Sequence, residues 1–261
     1  MILSRITHAL KTQNWFAVAL EFVIVIAGVV IGFQVNAWNE GRTARLQEAM
    51  IQANLAEDFR VLVIDIDATV GRTVDIARNV TVVVETLDRG SVEAARADQF
   101  ETGLISLVWA VPPPQSPSTL QELVSSGGLS RLTDPSLRAL LAQFLEQRET
   151  VNGMATVLIE ARFTNAQRRD LPIFLEPGSV ADLEAAYQSG AYESVAAFRD
   201  HQGTRRTLAR YDLDAMRADP AIRDMYVTSR DLNNTYLSWL VSLRDSAKAV
   251  LDHLDEQDAN P

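Results

Sequence analysis

Three histidines, a pair of closely spaced aspartates, one Ser-Ser-Gly-Gly turn and a lone glutamate in an apolar run are the residues of this 261-residue chain that could do chemistry. His8, His201 and His253 lie far apart and form no HxH or HxxxH pair, so no histidine-based metal site is expected. Neither His201 nor His253 has a glutamate three residues before it, since positions 198 and 250 are Phe198 and Val250. That removes the ExxH pattern of di-iron bundles. Asp65, Asp67 and Thr69 imitate the opening of a calcium loop, but Val70 stands where that loop needs glycine and Ile76 where it needs glutamate. With no cysteine in the chain, disulfides, thiolate nucleophiles and cysteine-held zinc or iron–sulfur groups are excluded. Ser125-Ser126-Gly127-Gly128 lacks the first glycine and the preceding strand of a nucleophile elbow. It reads as a helix-ending turn whose freed amides could contact an anion or a partner carbonyl. No phosphate-binding glycine pattern occurs. The residues therefore predict no enzyme and no cofactor.

Composition narrows the partners. Hydrophobic residues make up 47% of the chain and charged ones 22%, which fits a chain that buries a core. The net charge is −10, a surface that repels phosphate backbones, so nucleic acid is not an expected partner. The basic pairs Arg168-Arg169 and Arg205-Arg206 read as solvated helix ends.

The elements that would position these residues begin with WFAVALEFVIVIAGVVIGFQVNAW, residues 15–38, apolar apart from Glu21 until its polar end. Trp15 and Trp38 would stand about 34 Å apart on a helix, one aromatic at each rim of a bilayer. The run is longer than a signal-peptide core and lacks a small-x-small cleavage site, so an uncleaved transmembrane helix is expected after a short tail, residues 1–14. Arg5 and Lys11 on one side nearly balance Arg42 and Arg45 on the other, and the reading that the bulk lies outside the cytoplasm follows the usual habit of such anchors. Glu21, Val25, Gly28, Gly32 and Val35 fall on one side of this helix, with GxxxG at its centre. Small residues let helices approach closely and a polar group there gains a partner, so this face is the expected helix–helix interface.

The stretch LEFVIVIAGVVIGFQVNAWNEGR, with Glu21, Gly28, Gln34, Asn36, Trp38, Asn39 and Glu40, resembles the N-terminal helix of an uncharacterised bacterial family of single-span membrane proteins. Residues 118–145, STLQELVSSGGLSRLTDPSLRALLAQFL, are similar to that family's middle segment. The resemblance implies a bacterial inner-membrane protein and supplies no activity, because the family's function is unknown.

Beyond Trp38, Leu55, Phe59, Leu62, Ile66, Thr69, Thr73, Ile76, Val80, Val83 and Leu87 alternate steps of four and three, a coiled-coil-like seam. A helix from residue 39 to Leu87 would extend roughly 73 Å. Thr69, Gly71 and Thr73 could place a kink or polar layer in its middle, and Asp88-Arg89-Gly90 supplies a stop. A helix near 92–110 with Phe100, Leu104, Leu107 and Val108 should end at VPPPQSPS, an extended crossing within the domain. Ser118 or Thr119 should cap the next helix, with Gln121 or Glu122 closing the box. Asp134-Pro135 and Asp219-Pro220 each read as a cap followed by a first-turn proline. The first opens a helix to about Arg168 with Leu137, Leu141, Phe144, Val151 and Leu158 on one stripe. The second opens a helix with Ile222, Met225, Leu232, Tyr236, Leu240, Leu243, Val250 and Leu254, leaving 257–261 as a polar tail. LPIFLEPGSV interrupts, and two short helices are expected near 179–188 and 191–209.

These elements predict an all-α architecture in which an N-terminal transmembrane helix continues into a long heptad helix of an elongated bundle spanning 39–256. The expected role is a non-enzymatic scaffold or interaction subunit in the bacterial envelope, with the bulk periplasmic, as a homo-oligomer or beside another membrane protein. The alternative is a sensor-like bundle that binds a small molecule near Tyr187, Tyr192, Tyr211, Tyr226, Tyr236 and Trp239 and signals through a partner.

Overall fold

A computed structural model describes residues 15–107, 110–166, 171–176, 188 and 207–259. The tail 1–14, Val108, most of the two expected short helices, His8, His201, both arginine pairs, Tyr187 and Tyr192 lie outside the described residues. Within them the protein is all-α apart from one short ribbon. Its helices are α1 (Trp15–Arg89), α2 (Ala97–Ser106), α3 (Ser118–Ser125), α4 (Pro135–Ala166), α5 (Leu213–Ala218) and α6 (Pro220–Ala259). Short 3-10 turns at Ala94–Arg96 and Gly128–Arg131 link them. The chain divides into two compact units, Met1–Leu55 and Ala56–Pro261.

In the first unit the described chain is α1 alone. Every side chain from Ala19 to Glu40 is exposed, and an 18-residue window of this helix reaches a mean hydropathy of 2.0 with none of it buried. Where the sequence turns polar, the helix satisfies itself locally: Asn36 Nδ2 donates to Glu40 Oε1 at 2.7 Å and Thr43 Oγ1 to the Asn39 carbonyl at 3.0 Å.

In the second unit α1, α4 and α6 form a three-helix bundle. Ion pairs from Asp88 to Arg223, Asp67 to Arg244 and Arg60 to Asp255 fix α6 antiparallel to α1. Phe59 meets Phe144 edge-to-face at 4.9 Å. Asp134 at the start of α4 lies beside His253 near the end of α6. Arg162 near the end of α4 reaches Ser106 of α2, whose Leu104 carbonyl meets Tyr226 near the start of α6, so α4 runs antiparallel to α6 and parallel to α1. Each helix contributes a seam with steps of four and three. On α1 every seam position except the half-buried Ile76 is buried. Thr69 and Thr73 do place a polar layer in its middle, but α1 runs through without a break. Each threonine hydroxyl donates to the carbonyl four residues back, Asp65 and Thr69 respectively, so neither polar group is stranded.

On α6 the buried seam is Ile222, Tyr226, Ser229, Asn233, Tyr236, Leu240, Leu243, Ala247, Val250 and Leu254. Leu232, expected in the core, is only half-buried, and Ser229 and Asn233 occupy the interior instead. The helix also continues to Ala259, so residues 257–259 are helical and do not form a free tail.

The helix starts follow the expected chemistry in two places and depart from it in one. Asp134 Oδ1 accepts from the Ser136 amide at 2.7 Å and Asp219 Oδ1 from the Ala221 amide at 2.9 Å, each with proline at the first helical position. At α3, however, neither Ser118 nor Thr119 is the cap. Asp58 of α1 reaches across and accepts from Ser118 Oγ at 3.0 Å and the Thr119 amide at 2.8 Å. A carboxylate is a stronger acceptor for the positive end of a helix than a serine hydroxyl.

Residues 111–117 confirm the extended crossing. Val111, Pro114 and Pro117 are buried while Pro112 and Gln115 are exposed. Burial at every third position is what a polyproline II segment with three residues per turn produces. Arg148 of α4 donates to the Pro114 carbonyl at 3.1 Å.

A second apolar cluster gathers Val80, Val83 and Leu87 of α1, Phe100 and Leu104 of α2, Met216 of α5, and Ile222 and Tyr226 of α6. Gly103 lets α2 approach α1, since a β-carbon there would overlap the Asn79 carbonyl and stand 2.6 Å from Val83 Cγ2. The α1 stop is Gly90, with φ +82° and its amide on the Thr86 carbonyl at 2.8 Å. Against expectation, Ile173–Glu176 (β1) and Thr207–Tyr211 (β2) pair antiparallel, with a bulge that leaves Ala209 unmatched. The helix expected near 191–209 is therefore overturned at Thr207–Ala209, which are strand, and the rest of it lies outside the described residues. Tyr211 meets Phe100 edge-to-face at 5.1 Å, which ties the ribbon to the cluster.

Candidate functional site

The first candidate is the face of α1 carrying Glu21, Val25, Gly28, Gly32 and Val35. At 100° per residue these five share an arc of about 80°. A β-carbon built on Gly28 or Gly32 meets nothing within 4 Å, so the shallow strip they form is open. Val25 and Val35 flank it and are both more than half exposed. Such a strip suits close helix packing in lipid.

The second candidate, Ser125-Ser126-Gly127-Gly128, is a helix-ending turn. Gly127 takes φ +67°. The Ser126 amide is bound to the Glu122 carbonyl at 2.9 Å and the Gly127 amide to Val124 at 3.3 Å. Two of the amides that could have faced a ligand are therefore used within the turn.

Asp65 and Asp67 project outward from α1, Asp67 with Arg244 at 3.5 Å. Among the described residues no group of three or more His, Asp or Glu side chains could hold a metal ion.

Three arrangements were not foreseen. His253 Nε2 lies 2.5 Å from Asp134 Oδ2, and Gln257 Nε2 donates to the same oxygen. The α4 cap thereby holds the last turns of α6. The Asp134 carboxyl is kept below the ordinary aspartate value, chiefly by the hydrogen bond from His253 and against the opposing effect of burial. The sequence signal was present in the DP cap, but its partner is 119 residues away.

Arg162, on the α4 seam, is 4% exposed. One guanidinium nitrogen donates to the Ser106 carbonyl at the end of α2, and Nη2 has no partner. Burial lowers its pKa to about 10. Its positive charge sits at the carbonyl end of a helix, where the helix dipole favours it.

The third arrangement is the polar layer. Asn233 Nδ2 donates to the Ser229 carbonyl at 2.6 Å, while Ser229 Oγ and Tyr236 Oη are buried without a partner. Burial raises the Tyr236 phenol, with the nearby Arg72 charge pulling the other way. Of the aromatic residues proposed for a ligand pocket, the four that are described do not share one lining. Tyr211 and Tyr226 belong to the α2 cluster, where Tyr226 donates to the Leu104 carbonyl at 3.3 Å. Tyr236 lies in the polar layer, and Trp239 is 37% exposed.

The described side chains thus act mainly as caps, pairs and packing between helices. No family model, curated protein or solved structure matches the chain.

Proposed function

We propose that this protein is a non-enzymatic, single-span subunit of the bacterial envelope. Its N-terminal helix anchors it in the inner membrane, and its helical bundle, on the periplasmic side, serves as a scaffold or interaction module. The observation that carries this reading is the first unit: an apolar run with every side chain from Ala19 to Glu40 exposed is costly in water and suited to lipid, with Glu21 asking for a partner within it. The resemblance of residues 20–42 to a bacterial single-span family supports the same reading. Homo-association through Glu21, Val25, Gly28, Gly32 and Val35, or contact with another membrane protein, is the expected mode of action.

Alkaline carbonate washing of native membranes tests the anchor, and detergent extraction with identification of co-eluting chains tests the interaction role. Retention in the pellet with a stoichiometric partner or a discrete oligomer is expected. Release by carbonate overturns the anchor, and elution as a lone monomer overturns the scaffold role.

One observation favours a sensor-like bundle instead, namely the unpartnered hydroxyls of Ser229 and Tyr236 between helices. A small polar molecule that raises the melting temperature in a thermal-shift screen of wild-type protein, but not of Tyr236→Phe, would support that reading.

A further inference from the structure

The seam of α1 visible in the sequence is consumed by the protein's own bundle: Phe59, Leu62, Ile66 and Thr69 face α4 and α6. On the opposite side of the same helix, Val61 is 53% and Ile64 68% exposed. Ala68 and Gly71 continue the row, both exposed, and a β-carbon on Gly71 would meet nothing. Steps of three, four and three make these four residues an a-d-a-d pattern.

From this second seam we infer that the outer face of α1, from Arg60 to Arg72, pairs with the same face of a second copy as a short parallel coiled coil.

The charges beside the row say what covers it. Arg60 immediately precedes Val61, a g position, and Asp65 immediately follows Ile64, an e position. In a parallel pair a g residue faces the e residue five positions further along the other chain, so Arg60 meets Asp65 of the second copy. Asp67 and Arg72 repeat the relation with the signs exchanged. Arg60 is 46% exposed although it already pairs with Asp255 and, at 3.4 Å, with Glu57, and Asp67 is half exposed with Arg244 at 3.5 Å. Arg72 is half-buried, donates to Thr69 Oγ1 at 3.1 Å and lies near Tyr236, so Arg60 and Asp65 carry the charge argument. Two like-charged g and e positions would have repelled a second copy; here Arg60 meets its opposite in Asp65.

An antiparallel pair would satisfy the same charges. The choice of the parallel arrangement rests on the membrane-anchor reading, which holds both copies in one bilayer with one orientation. Confinement in the bilayer also raises the effective concentration for a seam of only two heptads. The row ends where Asp75 and Arg78 take the next seam positions, already paired with each other at 2.9 Å.

The absence of native cysteine makes the test direct. Full-length Ile64→Cys and Ala68→Cys, reconstituted in phosphatidylcholine–phosphatidylglycerol vesicles and oxidised with copper phenanthroline, are expected to form cross-linked dimers. Their yield should be several-fold above that of Ala139→Cys, an exposed position on α4. Adding Arg60→Asp to Ile64→Cys should lower the yield, and further adding Asp65→Arg should restore it. Yields at 64 and 68 equal to the Ala139→Cys control overturn the interface. Carbonate washing of the same vesicles reads the anchor separately: a chain retained in the pellet without a cross-link leaves the anchor standing and removes the interface. A released chain that still cross-links at 64 removes the anchor and keeps the interface.

Discussion

Gly103 of α2 faces the Asn79 carbonyl of α1 with no room for a side chain between them. Two helices approach this closely only where one lacks a β-carbon. Gly103→Ala should therefore force the helices apart and destabilise the protein by about 1–3 kcal/mol, outweighing the gain in helix propensity. Thermal unfolding followed by circular dichroism checks this, and an unchanged or raised midpoint would refute the close approach.

Two buried tyrosines should respond in opposite ways to loss of the hydroxyl. Tyr226 donates to the Leu104 carbonyl, so Tyr226→Phe should cost about 0.5–1.5 kcal/mol. Tyr236 has a buried hydroxyl with no partner, so Tyr236→Phe should be neutral or stabilising. Denaturant unfolding of the two variants side by side decides it, and an equal loss in both would contradict the polar layer as described.

Acid should unfold the protein through its caps. Asp134 is held below its ordinary value by His253, and in Asp58 the hydrogen bonds from Thr119 and Ser118 outweigh the larger single effect of burial, which opposes them. A depressed folded-state value means that the stabilisation is fully present above the unfolded value and is lost as pH falls through the folded one. Melting temperature should thus hold at neutral pH and drop below about pH 4. In the double variant Asp58→Asn, Asp134→Asn it should start lower and fall less over the same range. A parallel fall in both proteins would assign the acid sensitivity elsewhere.

The glycine strip of α1 has its own test. Replacing Gly28 and Gly32 with isoleucine should weaken association of full-length chains in vesicles, measured by energy transfer between labelled copies. Unchanged transfer would remove Glu21, Val25, Gly28, Gly32 and Val35 as a packing face.

Long periodic segments were legible because a seam of apolar residues is a pattern local to one helix. The α1 seam, the stop at Gly90 and both Asp-Pro caps could be read from spacing alone. Ser229 and Asn233 could not, because a search for apolar stripes passes over polar residues and selects Leu232 beside them. Asp58 as the cap of α3 was hidden for another reason: a serine stands where a local cap would, and only the bundle brings the stronger acceptor across. The ribbon of Ile173–Glu176 and Thr207–Tyr211 is short, and its strands are remote in sequence, so neither shows the alternation that identifies a strand. Arg162 fell on a seam position, but a charged residue there looks like a solvent-side neighbour until its burial is known. The candidate site was legible only as positions on α1, because its exposure depends on which face the rest of the chain takes.

The crossing at residues 111–117 has a consequence for limited proteolysis. A connector of this length without helix or strand is ordinarily where a protease cuts first, because its backbone can be drawn into an active-site cleft. Here four prolines restrict the chain, Val111, Pro114 and Pro117 press into the interior, and Arg148 occupies the Pro114 carbonyl. The peptide bonds that look most accessible in the sequence are pinned at every turn, so a protease of broad specificity such as subtilisin should leave this crossing intact until the bundle itself opens.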